Sequence, residues 1–312
     1  METRPIGSLR VSVIGLGCNN FGKRITDESR AHAIVNAALD VGVTLFDTAD
    51  IYGATHSEEF LGRALGSRRD DVLIATKFGM RVDDERKGAS PGYLHRAAED
   101  SLRRLGTDRI DLYQLHEPDP DTPIADTLGA LNELVLAGKV REIGCSNFAA
   151  EQLRDAEAAT PRGAARFVSV QNEYSLLDRE PETDVLPECR RQELAFIPYF
   201  PLASGVLTGK YRSGEPPPAG TRLATYPGDR VEELLRPENL AVVDRLTAWA
   251  AERGHTVLEL AIAWLLAQRP VASVIAGASA PEQVRANRAA AGWTLSREDQ
   301  AGLETALAES AG

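Results

Sequence analysis

The chain has 312 residues, 43% of them apolar and 26% charged, which excludes disordered, collagen-like and low-complexity classes. Its 35 Lys and Arg against 46 Asp and Glu leave a net charge of −11. Nucleic acid and anionic membranes are therefore not expected partners, while a local basic pocket for a small anion stays open.

The start, METRPIGSLR, lacks the apolar stretch of a secretion signal. The most apolar window, Leu258 to Ala267, is about half the length of a membrane span and contains Glu259. Cys18, Cys145 and Cys189 are far apart, with no Cys-x-x-Cys or Cys/His cluster. Neither a metal site nor a disulfide framework is expected, and a cytoplasmic location fits.

Along the chain, the first ten residues predict a short hairpin or arm. Short β-rich runs then recur at Val13–Leu16, Val43–Phe46, Val72–Thr76 and Ile110–Leu115, and again at Val140–Cys145, Phe167–Val170, Ala195–Tyr199 and Ser273–Ile275. They are mostly apolar, as strands buried on both faces are. Amphipathic segments lie between them. Glu28 to Asp40 follows Thr26-Asp27, and Glu58 to Leu65 follows Ser57, both N-cap signals. Leu94 to Leu105 ends at Gly106, and Ile124 to Ala137 ends at Gly138, both C-cap signals.

This alternation predicts an α/β fold of parallel strands with helical crossovers. Eight units predict a closed (β/α)8 TIM barrel forming one domain over residues 1–312, with an open doubly wound sheet as the alternative. The stretch Arg212 to Pro237, rich in proline and glycine, predicts a long loop between the seventh and eighth barrel strands that frames the pocket.

In such a barrel the chemistry sits at the C-terminal ends of the strands. The second run ends in Phe46-Asp47-Thr48-Ala49-Asp50-Ile51-Tyr52-Gly53, the third in Thr76-Lys77-Phe78-Gly79 and the fourth in Gln114-Leu115-His116. Taken singly, Asp47 reads as a turn residue, His116 as a satisfied core histidine and Tyr52 as packing. Lys77 is harder to explain, because lysine is rarely buried unpaired. Three consecutive strands delivering Asp, Lys and His to one rim, with Tyr52 just beyond, read as a site.

The chemistry of that set is proton delivery. A free phenol, with a pKa of about 10, is a weak acid at neutral pH, and a nearby ammonium lowers that value. Asp47 would hold Lys77 protonated, Tyr52 would give its proton to a developing alkoxide, and His116 would orient the same oxygen. The set has an acid and no obvious nucleophile, so the hydride for reducing a carbonyl must come from a cofactor. Gly15-Leu16-Gly17-Cys18-Asn19-Asn20-Phe21-Gly22 fails as a dinucleotide fingerprint because position 20 is Asn, and Gly22-Lys23-Arg24 fails as a phosphate loop. Gly15 and Gly17 instead suit a close backbone approach to a bound ring or a tight turn.

These residues resemble the aldo-keto reductase superfamily, in its bacterial branches. The similarity runs in order over about residues 8 to 290. It takes in Asp47-Thr48-Ala49-x-x-Tyr52-Gly53, Thr76-Lys77-Phe78-Gly79, Asp111-Leu112-Tyr113-Gln114-Leu115-His116, and Gly138-Lys139-Val140-Arg141-x-Ile143-Gly144-x-Ser146-Asn147-Phe148. It continues through Gln171-Asn172-x-Tyr174, Pro201-Leu202-Ala203-x-Gly205-x-Leu207-x-Gly209-Lys210-Tyr211 and Gly277-Ala278-x-x-x-Glu282-Gln283-x-x-x-Asn287.

The resemblance implies a (β/α)8 barrel that binds NADP(H), with NAD(H) as a second cofactor, and acts on a small-molecule carbonyl or sugar substrate. It implies a tetrad of Asp47, Tyr52, Lys77 and His116, with Tyr52 as the acid. It places Ser146, Asn147 and Gln171 at the nicotinamide amide and Tyr199 on the ring. Gly17, Asp47, Phe200 and Pro201 join the cofactor set, and Leu202, Ser204, Gly205 and Lys210 fall where the pyrophosphate is held. Gln283 and Asn287 match the adenine end, and Gly277 and Ser279 belong to the cofactor set.

One departure is Ser279, where NADP-preferring members often carry Arg or Lys. A weaker preference for NADPH is therefore expected, supported by backbone N–H groups before Pro281 and by Arg285 reaching round. A monomer is expected, with a homo-oligomer left open. Two other functions stay in view: a cofactor-binding regulatory protein without turnover, and a Lys77 Schiff-base lyase.

Overall fold

The computed structural model describes residues 1–308. β1 (Thr3–Ile6) and β2 (Leu9–Ser12) form the expected antiparallel hairpin. Four barrel strands follow: β3 (Ile14–Gly17), β4 (Leu45–Asp47), β5 (Leu73–Phe78) and β6 (Ile110–Leu115). β7 (Val140–Ser146), β8 (Phe167–Glu173), β9 (Ala195–Tyr199) and β10 (Val274–Gly277) complete the set.

The eight pair in parallel in the order β10-β3-β4-β5-β6-β7-β8-β9. The ring closes just before β10. Phe196 N–H donates to the Pro270 carbonyl (3.1 Å), and Ala272 N–H donates to the Phe196 carbonyl (2.9 Å). This is the (β/α)8 barrel and not the open sheet.

Helices cover the outside: α1 (Glu28–Asp40), α2 (His56–Leu65), α3 (Pro91–Leu105), α4 (Ile124–Leu136), α5 (Ala150–Ala159) and α6 (Val185–Gln192). α7 (Gly228–Leu234), α8 (Pro237–Ala251), α9 (Val257–Ala267), α10 (Pro281–Ala290) and α11 (Arg297–Ala308) follow. Local chemistry explains several ends. Asp27 caps α1 by accepting from Ser29 N–H (2.9 Å), and α3 stops where Gly106 turns left-handed.

Two expectations are corrected. α2 starts at His56, and Ser57 is not its cap. The Ser57 hydroxyl is buried, donates to the Cys18 carbonyl (2.9 Å) and lies 2.8 Å from Thr48 Oγ1. A tertiary contact has taken the side chain that the local pattern assigned to capping. The stretch Arg212 to Pro237 is not a bare loop either, since it folds a short helical turn at Leu223–Thr225 and then α7.

The barrel interior is a packed core. Leu45, Ala75, Leu112, Val168, Ile197 and Ile275 meet Ile6, Leu9 and Val11 of the hairpin. The hairpin thus closes the N-terminal floor and leaves the opposite mouth open for a ligand. No helix among the described residues is long and apolar enough to cross a membrane.

Candidate active site

Strand register brings Asp47, Lys77 and His116 together, and the turn after β4 carries Tyr52 to the same place. Asp47 of β4 is level with Ala75 of β5, so Lys77, two residues further, points to the same side of the sheet. Lys77 is level with Gln114 of β6, and His116 follows two residues later. The side chains therefore converge on the mouth because strand side chains alternate with period two.

Lys77 is fully buried, and its Nζ donates to Asp47 Oδ1 (2.6 Å) and to the Thr48 carbonyl (2.9 Å). Burial by itself would lower the lysine pKa. The Asp47 carboxylate and the Tyr52 hydroxyl outweigh it and hold the ammonium above its ordinary value. The second oxygen of Asp47 accepts from Gln171 Nε2 (2.8 Å). Lys77 Nζ lies 5.1 Å from the centroid of the Tyr52 ring, and the His116 ring meets that ring edge-on at 5.6 Å.

Two electrostatic results follow. Burial of His116, with Lys77 nearby, pushes its pKa down to about 3, so the imidazole is neutral at physiological pH. Its Nδ1 is buried without a protein partner among the described residues. The Tyr52 pKa is raised and not lowered, because burial outweighs the opposing pull of Lys77. This corrects the expectation that the ammonium makes the phenol more acidic than a free one. Lys77 only offsets part of the burial penalty.

The turn that carries Tyr52 is strained. Gly53, Ala54 and Thr55 are all left-handed, with φ of 59°, 53° and 79°. A Cβ at Gly53 would sit 2.2 Å from the Phe21 carbonyl oxygen, so glycine is required there. The two non-glycine residues cost roughly 1–2 kcal/mol each. Strain of this kind needs surroundings that over-determine the conformation.

The mouth opens into a cavity of about 820 Å³. Tyr52, Asp47 and His116 line it, while Lys77 sits behind them. Every residue expected at a cofactor lies on its wall. Ser146, Asn147, Gln171 and Tyr199 stand nearest the rim set, where Asn147 Nδ2 donates to the His116 carbonyl (2.9 Å) and the Tyr199 hydroxyl donates to Asn147 Oδ1 (2.8 Å). Phe200, Pro201, Leu202, Ser204, Gly205 and Lys210 form a second stretch, with Phe200 and Ser204 in left-handed backbone. Gly17, Gly277, Ser279, Gln283 and Asn287 form a third.

Sequence reasoning missed Arg24, Arg222, Asn19 and Met80, which also line the cavity. Arg222 comes from the long excursion before α8. Its Nε donates to the Tyr226 hydroxyl (2.8 Å), and its guanidinium lies 4.8 Å from the Phe200 ring centroid. Arg24 Nη2 reaches the Gly220 carbonyl (3.4 Å) in the same excursion. The excursion therefore crosses the cavity, as expected of a pocket-framing segment. Arg24, Lys210 and Arg222 have no carboxylate within ion-pair distance among the described residues. Burial lowers the pKa values of Arg24 and Lys210, helped by repulsion from Arg222 on Arg24 and from Arg24 on Lys210. The only prior signal was that an acidic chain retains a local basic pocket.

The expectations near Ser279 are corrected. Its N–H is not free for an anion but donates to Gln283 Oε1 (2.7 Å). Arg285 does not reach round, since it stands 3.7 Å from Glu282 on the exposed face of α10. Arg30 of α1 comes instead, donating twice to the Ser279 carbonyl (3.1 and 2.8 Å).

Known proteins resemble this chain in sequence and in fold. The chain is 37% identical to the aldo-keto reductase YhdN of Bacillus subtilis, over 96% of this chain and 91% of that protein. It is 37% identical to the aldo-keto reductase yakc [NADP(+)] of Schizosaccharomyces pombe, over 86% of this chain and 80% of the relative. The solved structure of a glycerol dehydrogenase from Gluconobacter oxydans superposes with a TM-score of 0.85 at 31% identity, covering 98% of this chain and 94% of that one. The sequence profile of the Aldo/keto reductase family matches residues 13–308. With the barrel, its mouth and these relatives in agreement, the chain belongs to the aldo/keto reductase family and is an oxidoreductase of that family.

Proposed function

We propose that this protein reduces an aldehyde or ketone with NADPH, or oxidises the corresponding alcohol or sugar lactol in reverse. The observation that carries the reading is the buried Asp47–Lys77 pair set behind Tyr52, with a neutral His116 beside the same ring.

The cavity suits a dinucleotide. It spans from Tyr52 and His116 to Ser279 and Gln283, and three cations without carboxylate partners among the described residues line it. Asn19 Oδ1 on its wall is buried without a partner among the described residues. A Cβ at Gly205 would come 3.0 Å from Lys210 Nζ, so the glycine keeps that cradle open. Ser146, Asn147 and Gln171 would hold the nicotinamide amide, and Tyr199 would stack on the ring. Leu202, Ser204, Gly205 and Lys210, with Arg24 and Arg222, would hold the pyrophosphate, and Ser279, Gln283 and Asn287 the adenine end. The name of the fission-yeast relative carries NADP(+), and the Gluconobacter neighbour is a glycerol dehydrogenase.

When bound, the cofactor supplies or accepts the hydride. The chain handles the proton. Neutral His116 donates its one N–H to the substrate oxygen and orients the carbonyl. Tyr52 gives its proton to that oxygen as negative charge develops on it. The phenolate left behind faces Lys77, whose charge stabilises it in a buried site. Asp47 keeps Lys77 charged. The same pairing disfavours a Schiff-base lyase, because an ammonium gripped at 2.6 Å by a carboxylate is not a nucleophile.

Mixing the protein with NADPH and 4-nitrobenzaldehyde and following the nicotinamide absorbance tests the reading. Turnover is expected in the parent protein. Tyr52→Phe is expected to lower kcat by about 100-fold or more while cofactor affinity changes little. A near-parent kcat in that variant removes Tyr52 as the acid. Cofactor binding without turnover in the parent points to a regulatory protein.

A further inference from the structure

A second polar cluster lies behind the Tyr52 turn, away from the cavity. Asp50 is 3% exposed and sits two residues before Tyr52. Its backbone N–H donates to the Lys77 carbonyl (3.0 Å), and its Oδ2 accepts from the Tyr93 hydroxyl of α3 (3.2 Å). Its Oδ1 is buried and has no hydrogen-bond partner among the described residues. Glu58 of α2 is fully buried next to it and takes Thr76 Oγ1 (2.5 Å) and Arg104 Nε (2.7 Å). Tyr113 of β6 turns a buried hydroxyl, without a partner among the described residues, toward the same group of residues.

The charges in this cluster do not balance. Among the described residues, Arg104 is the cation that pulls on Asp50, and Glu58 already holds it. Burial and the Glu58 carboxylate therefore push Asp50 up to about 7, against the weaker pull of Arg104 and Tyr93. A carboxyl kept this way can hold a neutral hydrogen bond in a buried place. The turn beside it needs such a hold. Residues 53–55 are left-handed in succession, and the next side-chain anchors are Thr48 and Ser57 at its two ends. Apart from Tyr52 itself, Asp50 is the one residue from Ala49 to Thr55 whose side chain is hydrogen-bonded to another element among the described residues.

We propose that Asp50 is a positioning residue for the carbonyl chemistry: its buried carboxyl, gripped by Tyr93, pins the turn and so places the Tyr52 hydroxyl against Lys77 and His116. The inference rests on Tyr52 being the proton donor. Asp50 touches neither substrate nor cofactor. Its effect passes through the position of one ring, where misplacement by about 1 Å can cost on the order of 100-fold in rate.

Three variants test it. Asp50→Ala removes the grip, Tyr93→Phe removes one hydrogen bond with the ring packing kept, and Asp50→Asn retains a neutral group of the same shape. Asp50→Ala is expected to lower kcat about tenfold or more while the carbonyl KM and the NADPH Kd stay within about threefold. Tyr93→Phe is expected to fall between that and the parent, and Asp50→Asn to recover kcat to within about threefold of the parent. Tyrosine labelled with 13C at Cζ gives a readout without turnover. The Tyr52 resonance, assigned by its loss in Tyr52→Phe, should move in Asp50→Ala and Tyr93→Phe and return in Asp50→Asn.

An unmoved Tyr52 resonance in both disruptive variants overturns the proposal. So does an Asp50→Asn variant no better than Asp50→Ala. If Asp50→Ala does not fold, Tyr93→Phe decides by the same two readouts. A parent protein without turnover, in which the resonance nevertheless moves as described, keeps the positioning role and removes the oxidoreductase reading.

Discussion

Lys77 and Asp50 are both buried titratable groups near one turn, and both pKa values rise, which keeps Lys77 charged but favours the neutral form of Asp50. Lys77 has a carboxylate at 2.6 Å and stays charged. Asp50 shares a single guanidinium with Glu58 and comes out near neutral pH. The difference lies in the count of opposing charges and not in the depth of burial. It has a consequence for stability. The folded Asp50 carboxyl titrates near 7, against about 4 in an unfolded chain. A group raised in this way contributes stability that is complete below the unfolded value and is lost as pH rises through the folded one. The full swing is about 4 kcal/mol. Asp50→Asn cannot ionise, so its unfolding free energy is expected to gain on the parent's as urea melts are repeated from pH 5 to pH 8. Parallel curves across that range would mean that Asp50 is already ionised when folded. Tyr52 and Lys77 were legible as a pair from residue type and spacing. The sign of the Tyr52 shift was not, because it depends on how much water the fold removes.

Elements show the same division. β6 was legible as one motif from Asp111 to His116, but its two ends do different work. His116 stands at the mouth. Asp111 stands at the floor, fully buried, with Oδ2 taking Arg69 (2.7 Å) and the Ile74 N–H (2.9 Å), and Oδ1 taking Arg141 (2.8 Å). It staples the starts of neighbouring strands together. Asp111→Ala leaves Arg69 largely buried without its carboxylate and should cost about 3–5 kcal/mol in urea denaturation. Molecules that remain folded should keep the parent kcat. A loss of kcat without a loss of stability would move Asp111 into the site. α2 and the excursion before α8 were the elements least legible in the sequence. Ser57 has an N-cap composition but bonds to Cys18 and Thr48, and proline-rich spacing cannot reveal that Arg222 lands on Phe200. Ser57 finds Cys18 39 positions away and Thr48 nine away, and Arg222 lies 22 positions from Phe200.

At the scale of the whole molecule, an excess of negative charge accompanies a pocket with three cations that lack carboxylate partners among the described residues. Such a field favours an anionic ligand inside while the outer surface repels it, and salt weakens both effects. NADPH is expected to bind more tightly than NADH, because Arg30, held at the Ser279 carbonyl, puts a cation at that end of the cavity. The margin should be modest, since position 279 itself carries no charge. Titration by nicotinamide fluorescence should show the gap between the two dissociation constants narrowing as ionic strength rises. Equal or reversed affinities at low salt would remove the preference for NADPH.

The order of strands and helices, and the identity of the residue at each strand end, follow from local rules. Period two, period 3.6 and turn chemistry act over a few neighbours and can be read along the chain. From them came the barrel, the hairpin and the rim of Asp47, Lys77 and His116. The fold alone settled how far the phenol is desolvated, which carboxyl has its pKa pushed up, which arginines reach the pocket, and that Ile6 and Leu9 of the hairpin seal its floor. Those outcomes depend on solvent exclusion and on charges brought together from distant positions, and no window of sequence contains both partners.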